Sequence, residues 1–206
     1  MTKELEQAAQ NFPEGKLPHL IEEFYKFCLQ NADGSFIDYE TITDTKSYLT
    51  SLITEDAAKE FICFYVGGDH SCYAIWHNDL NIAVEDCPVV IFGSEGLVSA
   101  AASNFKEFVI LFTKGLLFDI VFQWNRYYEN PNSPRVTIPY DLYKEDDYAW
   151  EHEQKTSGST VYTKMNDWLA NDLKITADKD LVTMVEDAIK GNPNLREYLA
   201  AKNGIK

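Results

Sequence analysis

The sequence predicts an α+β fold, a twisted and mostly antiparallel sheet over about residues 61–101 with N-terminal, central and C-terminal helices packed around it. Three observations lead there. The segments 61–66, 72–76 and 88–92 are short and dense in β-branched and aromatic residues, and Gly, Pro, Asp or Asn punctuates the gaps between them. Apolar residues recur at helical spacing on both sides of that region. With 206 residues, 45% of them apolar, and 12 Phe, 12 Tyr and 4 Trp, the chain can form a core without covalent staples, which excludes disorder along its whole length. That length fits a single domain over 1–206, or one domain with an appended C-terminal subregion.

The elements follow in order. Leu17 to Gln30 is the first helix, with Pro18 in the first turn and Leu17, Leu20, Ile21, Phe24, Phe27 and Cys28 on one face. Residues 32–45 read as a loop or a short extended piece around Phe36, Ile37 and Tyr39. Lys46 to Ile53 is a second helix, turning Tyr48, Leu49, Leu52 and Ile53 inward. Strand 61–66 stops at Gly67-Gly68-Asp69, and 72–76 follows at a hairpin distance, so the two should pair antiparallel. A third strand enters on Pro88 and leaves through Gly93-Ser94-Glu95-Gly96, and 97–101 returns as a fourth. Asn104 to Thr113 is the clearest helix, with Asn104 and Glu107 at capping-box spacing. It is apolar around most of its circumference, which predicts a central position covered on two sides, and Gly115 ends it.

Residues 116–158 are mixed: an apolar run 116–124, a loop at 130–134, and an acidic stretch at 145–147 among Tyr140, Tyr143, Tyr148 and Trp150. Three helices are then expected. The first carries Val161, Met165, Trp168, Leu169 and Leu173; the second carries Leu181, Val182, Val185, Ala188 and Ile189 and stops at Gly191. Asn192-Pro193, as cap and first-turn Pro, opens the last, through Leu195 and Leu199.

Charge is the outlier in the composition. Lys and Arg number 18 against 33 Asp and Glu, a net charge of −15. Such a surface repels polyphosphates and anionic bilayers, so neither nucleic acid nor membrane is an expected partner. It reads either as a solvated acidic face or as one that attracts basic proteins. The longest apolar stretch, about 108–112, is too short to span a bilayer, and Met1 to Glu6 is polar and leads to no apolar core of a signal peptide. Cys28, Cys63, Cys72 and Cys87 lack CxxC spacing and read as free thiols, so a cytoplasmic location is expected.

Motifs for chemistry are sparse. Neither a P-loop nor GxGxxG occurs, and Gly93-Ser94-Glu95-Gly96 lacks the first glycine of a nucleophile elbow because Phe92 stands there. His70, Cys72, His77 and Cys87 lie close together, but their spacing matches no common zinc site; a turn histidine and a buried thiol are the plainer reading, and no metal or cofactor is expected. Asp69, Glu85, Asp86 and Glu95 flank strand ends where loops could gather them for acid–base work, or they form a solvated rim. The acidic and aromatic stretch 140–153 reads equally as a protein-binding surface and as packing on the C-terminal helices.

Residues 61–113 carry Phe64-Tyr65-Val66-Gly67-Gly68-Asp69, then Tyr73-Ala74-Ile75-Trp76, Pro88-Val89-Val90-Ile91-Phe92-Gly93-Ser94-Glu95-Gly96 and Asn104-Phe105-Lys106-Glu107-Phe108. This core motif resembles the SUKH superfamily, which groups fungal cell-wall-synthesis regulators, the Syd and suppressor-of-fused proteins, and many bacterial immunity proteins. The matching positions are Gly67, Gly68, Pro88, Gly93, Ser94, Gly96, Asn104, Phe105 and Phe108, which form a fold signature and locate no binding site. One departure is Gly68-Asp69-His70-Ser71, where many members show a second glycine after the aspartate. The helix-rich region 116–206 has no assigned counterpart.

The resemblance implies a SUKH-like α+β domain that binds and does not catalyse. It leads to the expectation of a cytoplasmic immunity protein that neutralises a cognate polymorphic toxin, a basic domain of nuclease or deaminase class, by direct contact. Asp69, Glu95, Glu145, Asp146, Asp147 and Tyr148 are the candidate contact residues, no residue is assigned to catalysis, and the oligomeric state stays open. A regulatory scaffold binding an endogenous protein is the alternative, and a metal-dependent hydrolase using Asp or Glu is the third reading.

Overall fold

A computed structural model describes residues 2–31, 43, 45–67, 70–79, 81–93, 96–113, 117, 121, 161–192 and 195–202. The fold is α+β, with helices on both faces of a four-stranded antiparallel sheet in the order β1-β2-β3-β4. The helices that can be bounded among the described residues are α1 (Lys3–Ala9), α2 (His19–Asn31), α3 (Thr45–Leu52), α4 (Glu55–Ala58), α5 (Phe105–Phe112), α6 (Val161–Asp167), α7 (Leu181–Gly191) and α8 (Leu195–Ala201). The strands are β1 (Phe61–Val66), β2 (Cys72–Trp76), β3 (Val89–Phe92) and β4 (Val98–Ala102).

Strands β1 and β2 begin and end where residue chemistry alone puts them, and they pair as an antiparallel hairpin. β3 starts one residue later than expected. Pro88 has no N–H for a ladder and stands just outside, where its carbonyl accepts the Trp76 N–H at 2.9 Å. β4 is likewise displaced by one residue, because Gly96 takes φ +84° and Leu97 still belongs to the turn, its carbonyl accepting the Gly93 N–H at 2.7 Å.

Every strand residue is buried, because both faces of the sheet are covered. One face sets Ile62, Phe64, Tyr65, Tyr73, Ile75, Val89 and Ile91 against α1, α2, α5 and α7. The other sets Phe61, Cys63, Val66, Cys72, Ala74, Trp76, Val90 and Phe92 against α3, α4 and α8. Alternation along β1 breaks at a bulge between Cys63 and Tyr65, which turns Phe64 and Tyr65 to the same face. The Phe64 carbonyl freed there accepts the buried Tyr25 hydroxyl at 2.6 Å.

α5 is central, as its composition requires: every residue except Lys106 is buried. Phe24 meets Phe105, Phe108 and Phe112 edge-on, with ring centroids 5.5 to 6.0 Å apart. Asn104 caps this helix through the Glu107 N–H at 2.9 Å. The reciprocal capping-box bond is shifted, since the Glu107 carboxylate takes the Ser103 N–H at 3.2 Å and the Lys179 ammonium at 2.9 Å.

Several elements differ from expectation. α1 and α4 are additional short helices, each N-capped by a threonine, Thr2 and Thr54. α2 starts at His19, not Leu17, and its Leu20 N–H is met by the Glu85 carboxylate. α6 widens into a π-turn at Trp168–Asp172, where Trp168 lies 4.8 Å from Phe27. Asn192 closes α7 as well as introducing α8: its side-chain amide donates to the Ala188 carbonyl at 2.8 Å, while its own carbonyl accepts the Leu195 N–H at 3.4 Å. The readings at 32–42, Gly115, 122–160 and Pro193 lie outside the described residues.

Candidate functional site

A cleft of about 920 Å³ opens beside β1, the first strand of the sheet. Phe12 and Pro13 line it from the turn after α1, Leu49 from α3, and Phe61, Ile62 and Cys63 from the strand itself. Lys46, Glu55, Lys59, Glu60 and His77 add charged or titratable groups to its lining. Two of these are already paired, Lys59 with Asp56 at 2.8 Å and Glu60 with Lys202 at 2.9 Å. Mixed sign, local pairing and an apolar floor suit the cleft to an uncharged backbone or apolar side chains better than to a small ion.

Next to it, Glu60 joins β1 to α8. Burial works against its carboxylate, but contacts with Tyr198 and Lys202 prevail and hold its pKa below the ordinary carboxylate range. The Lys202 ammonium also sits 5.2 Å from the Tyr198 ring centroid. Burial raises the Tyr198 phenol, and the Glu60 carboxylate adds to the shift. Behind this cluster Phe61 stacks on Trp76 at 5.9 Å, and Trp76 meets Tyr198 at 5.3 Å. Two enclosed atoms, Trp76 Nε1 and the Tyr198 hydroxyl oxygen, have no hydrogen-bond partner of good geometry among the described residues.

The residues considered for metal chemistry are spread apart by the sheet. His70 is exposed, with its ring stacked at 5.8 Å on Tyr48 of α3. Cys72 is fully buried on the face beneath α3 and α8. His77 Nε2 lies 3.2 Å from the Ile82 carbonyl, and the Cys87 thiol donates to the Ala83 carbonyl at 3.5 Å. Among the described residues no three His, Cys, Asp or Glu side chains converge. Burial pushes the Cys28, Cys63 and Cys87 thiols up, so they are held in the neutral form.

The gathering of four carboxylates at one sheet edge is corrected by the topology. Glu85 and Asp86 lie in the β2–β3 connection, at the opposite end of the sheet from the turns after β1 and β3, and Glu85 is spent on capping α2. Asp69 and Glu95 lie outside the described residues, as do the remaining candidate contact residues Glu145, Asp146, Asp147 and Tyr148. Of the fold-signature positions, Gly67 bonds Ser71 across the first hairpin at 2.8 Å, Gly93 and Gly96 shape the second, and Asn104, Phe105 and Phe108 start the central helix; Gly68 and Ser94 are not among the described residues. The β1 edge and its cleft were not visible in the sequence, because they depend on which strand ends the sheet.

No helix among the described residues is long and apolar enough to cross a membrane. No protein-family model matches the chain, and neither a curated protein nor a solved structure matches it.

Proposed function

We propose that the chain is a cytoplasmic immunity protein of the SUKH type, which neutralises a cognate toxin domain by direct binding. The observation that carries the reading is the service the described signature residues perform: Gly67, Gly93 and Gly96 turn the meander, Pro88 stands just ahead of β3, and Asn104 caps the helix that follows β4. His70 supports it further. It takes φ +64°, the left-handed region that favours glycine, in the turn where many members of that superfamily carry a second glycine.

The net charge of −15 sets the partner's chemistry. A basic toxin domain is drawn in by the field of the whole chain, and occlusion of its substrate cleft then needs no bond-making by the inhibitor. Affinity comes from buried aromatic and apolar contacts, and the charge contributes chiefly to the rate of encounter.

The test is co-expression with the product of the neighbouring gene, followed by stopped-flow association of the purified pair. A stable complex, rescue of growth, and an association rate that falls about tenfold or more between low and high salt are expected. A rate indifferent to salt would remove the electrostatic part. Capture of an endogenous protein, with no toxin gene nearby, would favour a regulatory scaffold.

A further inference from the structure

Phe61 and Cys63 direct their backbone amides away from the sheet. His77 donates its N–H to the Glu60 carbonyl at 2.8 Å, which makes 60 and 77 a hydrogen-bonded pair and places Phe61 opposite Trp76 in a non-bonded one. Trp76 spends its own N–H on Pro88, on the far side of β2. Two residues on, the Cys63 carbonyl accepts the Thr45 hydroxyl at 2.7 Å, from outside the sheet. The Phe61 N–H, the Phe61 carbonyl and the Cys63 N–H therefore point outward, and no described strand lies on that side of β1. Both residues line the cleft of about 920 Å³.

We propose that this edge accepts an extended, basic segment of a partner protein as an added strand. The geometry supplies its backbone half: one partner residue exchanges both bonds with Phe61, and a second offers its carbonyl to the Cys63 N–H. Thr45 blocks the next acceptor, so the added strand is short. Phe12, Pro13 and Leu49 offer apolar surface for its side chains. Charge selects the occupant. A second copy of this chain would bring −15 against −15, whereas a segment with lysine or arginine on alternate positions is attracted. Only the naming of that partner as the toxin rests on the immunity reading; the edge does not.

The probe is a peptide of alternating Lys and Val, with a Glu and Val peptide as its counterpart, titrated into the full chain and followed by amide resonances and hydrogen exchange. In the free chain the Phe61 and Cys63 amides should exchange faster than that of Ile62, whose bonds face β2. The Lys peptide should shift and protect Phe61 and Cys63, its affinity should fall about threefold or more from low to physiological salt, and the Glu peptide should do nothing. Exchange at Phe61 and Cys63 as slow as at Ile62 in the free chain would overturn the proposal. So would equal binding of both peptides, or protection that appears on concentrating the chain alone. A captured toxin that leaves both amides exchanging removes this site and keeps the immunity reading. Peptide binding without any toxin partner does the reverse.

Discussion

A carboxylate placed in the first turn of a buried helix is costly unless donors meet it, and Glu107 is 6% exposed. Its two oxygens take the Ser103 N–H and the Lys179 ammonium, and Lys179 is bound in turn to Asp187 at 3.0 Å. Those two carboxylates hold the Lys179 ammonium well above its usual range. Substituting Lys179→Met should lower stability by about 1–3 kcal/mol, as the charge left behind is largely out of water. Adding Glu107→Gln should restore part of the loss, measured by urea unfolding of the two singles and the double. Asp180 shows the opposite geometry at the start of α7. Burial opposes its ionisation, but the Thr183 hydroxyl and N–H outweigh burial and keep its pKa below the ordinary carboxylate range. A depressed carboxylate stabilises the fold above its unfolded pKa of about 3.9 and loses that contribution as pH falls through the folded value. Asp180→Ala should cost about 1 kcal/mol at neutral pH. In acid unfolding curves the penalty should shrink as the pH drops below about 4.

At the scale of the element, α8 is a seven-residue helix that seals the second face of the sheet with Leu195 and Leu199. Leu199 has no exposed surface, so Leu199→Ala should cost about 2–5 kcal/mol in denaturant unfolding. Its burial beside Tyr198 and Trp76 explains which parts of the architecture could be read beforehand. Strand runs such as 61–66 announce themselves through β-branched and aromatic residues, and α7 through unbroken helical spacing, because these are local signals. A first-turn N–H of α2 is met by a carboxylate more than sixty positions away, Glu85, which no window of residues around His19 contains. α1 has a narrow apolar stripe of Leu5, Ala8 and Ala9, and α4 spans a single turn, so neither gives a period to detect. The cleft beside β1 joins residues from the α1 turn, α3 and the strand, and the candidate contact residues rest on local charge and aromatic content. Local charge marks a surface as acidic. It does not say where a partner's backbone can be gripped.

For the molecule as a whole, a sheet clothed on both faces by aromatic and aliphatic side chains leaves little interior open to reagents. All four sulfhydryls, on Cys28, Cys63, Cys72 and Cys87, are free and at most 4% exposed. A disulfide-exchange dye should therefore modify the native chain in one slow phase, and the denatured chain at once. The lag is a clock: its length reports how often the interior opens, so a bound partner that braces the sheet would be heard as slower colour development before any interface is mapped. A fast fraction in the native chain would mean that at least one of the four lies under a lid that lifts without the rest.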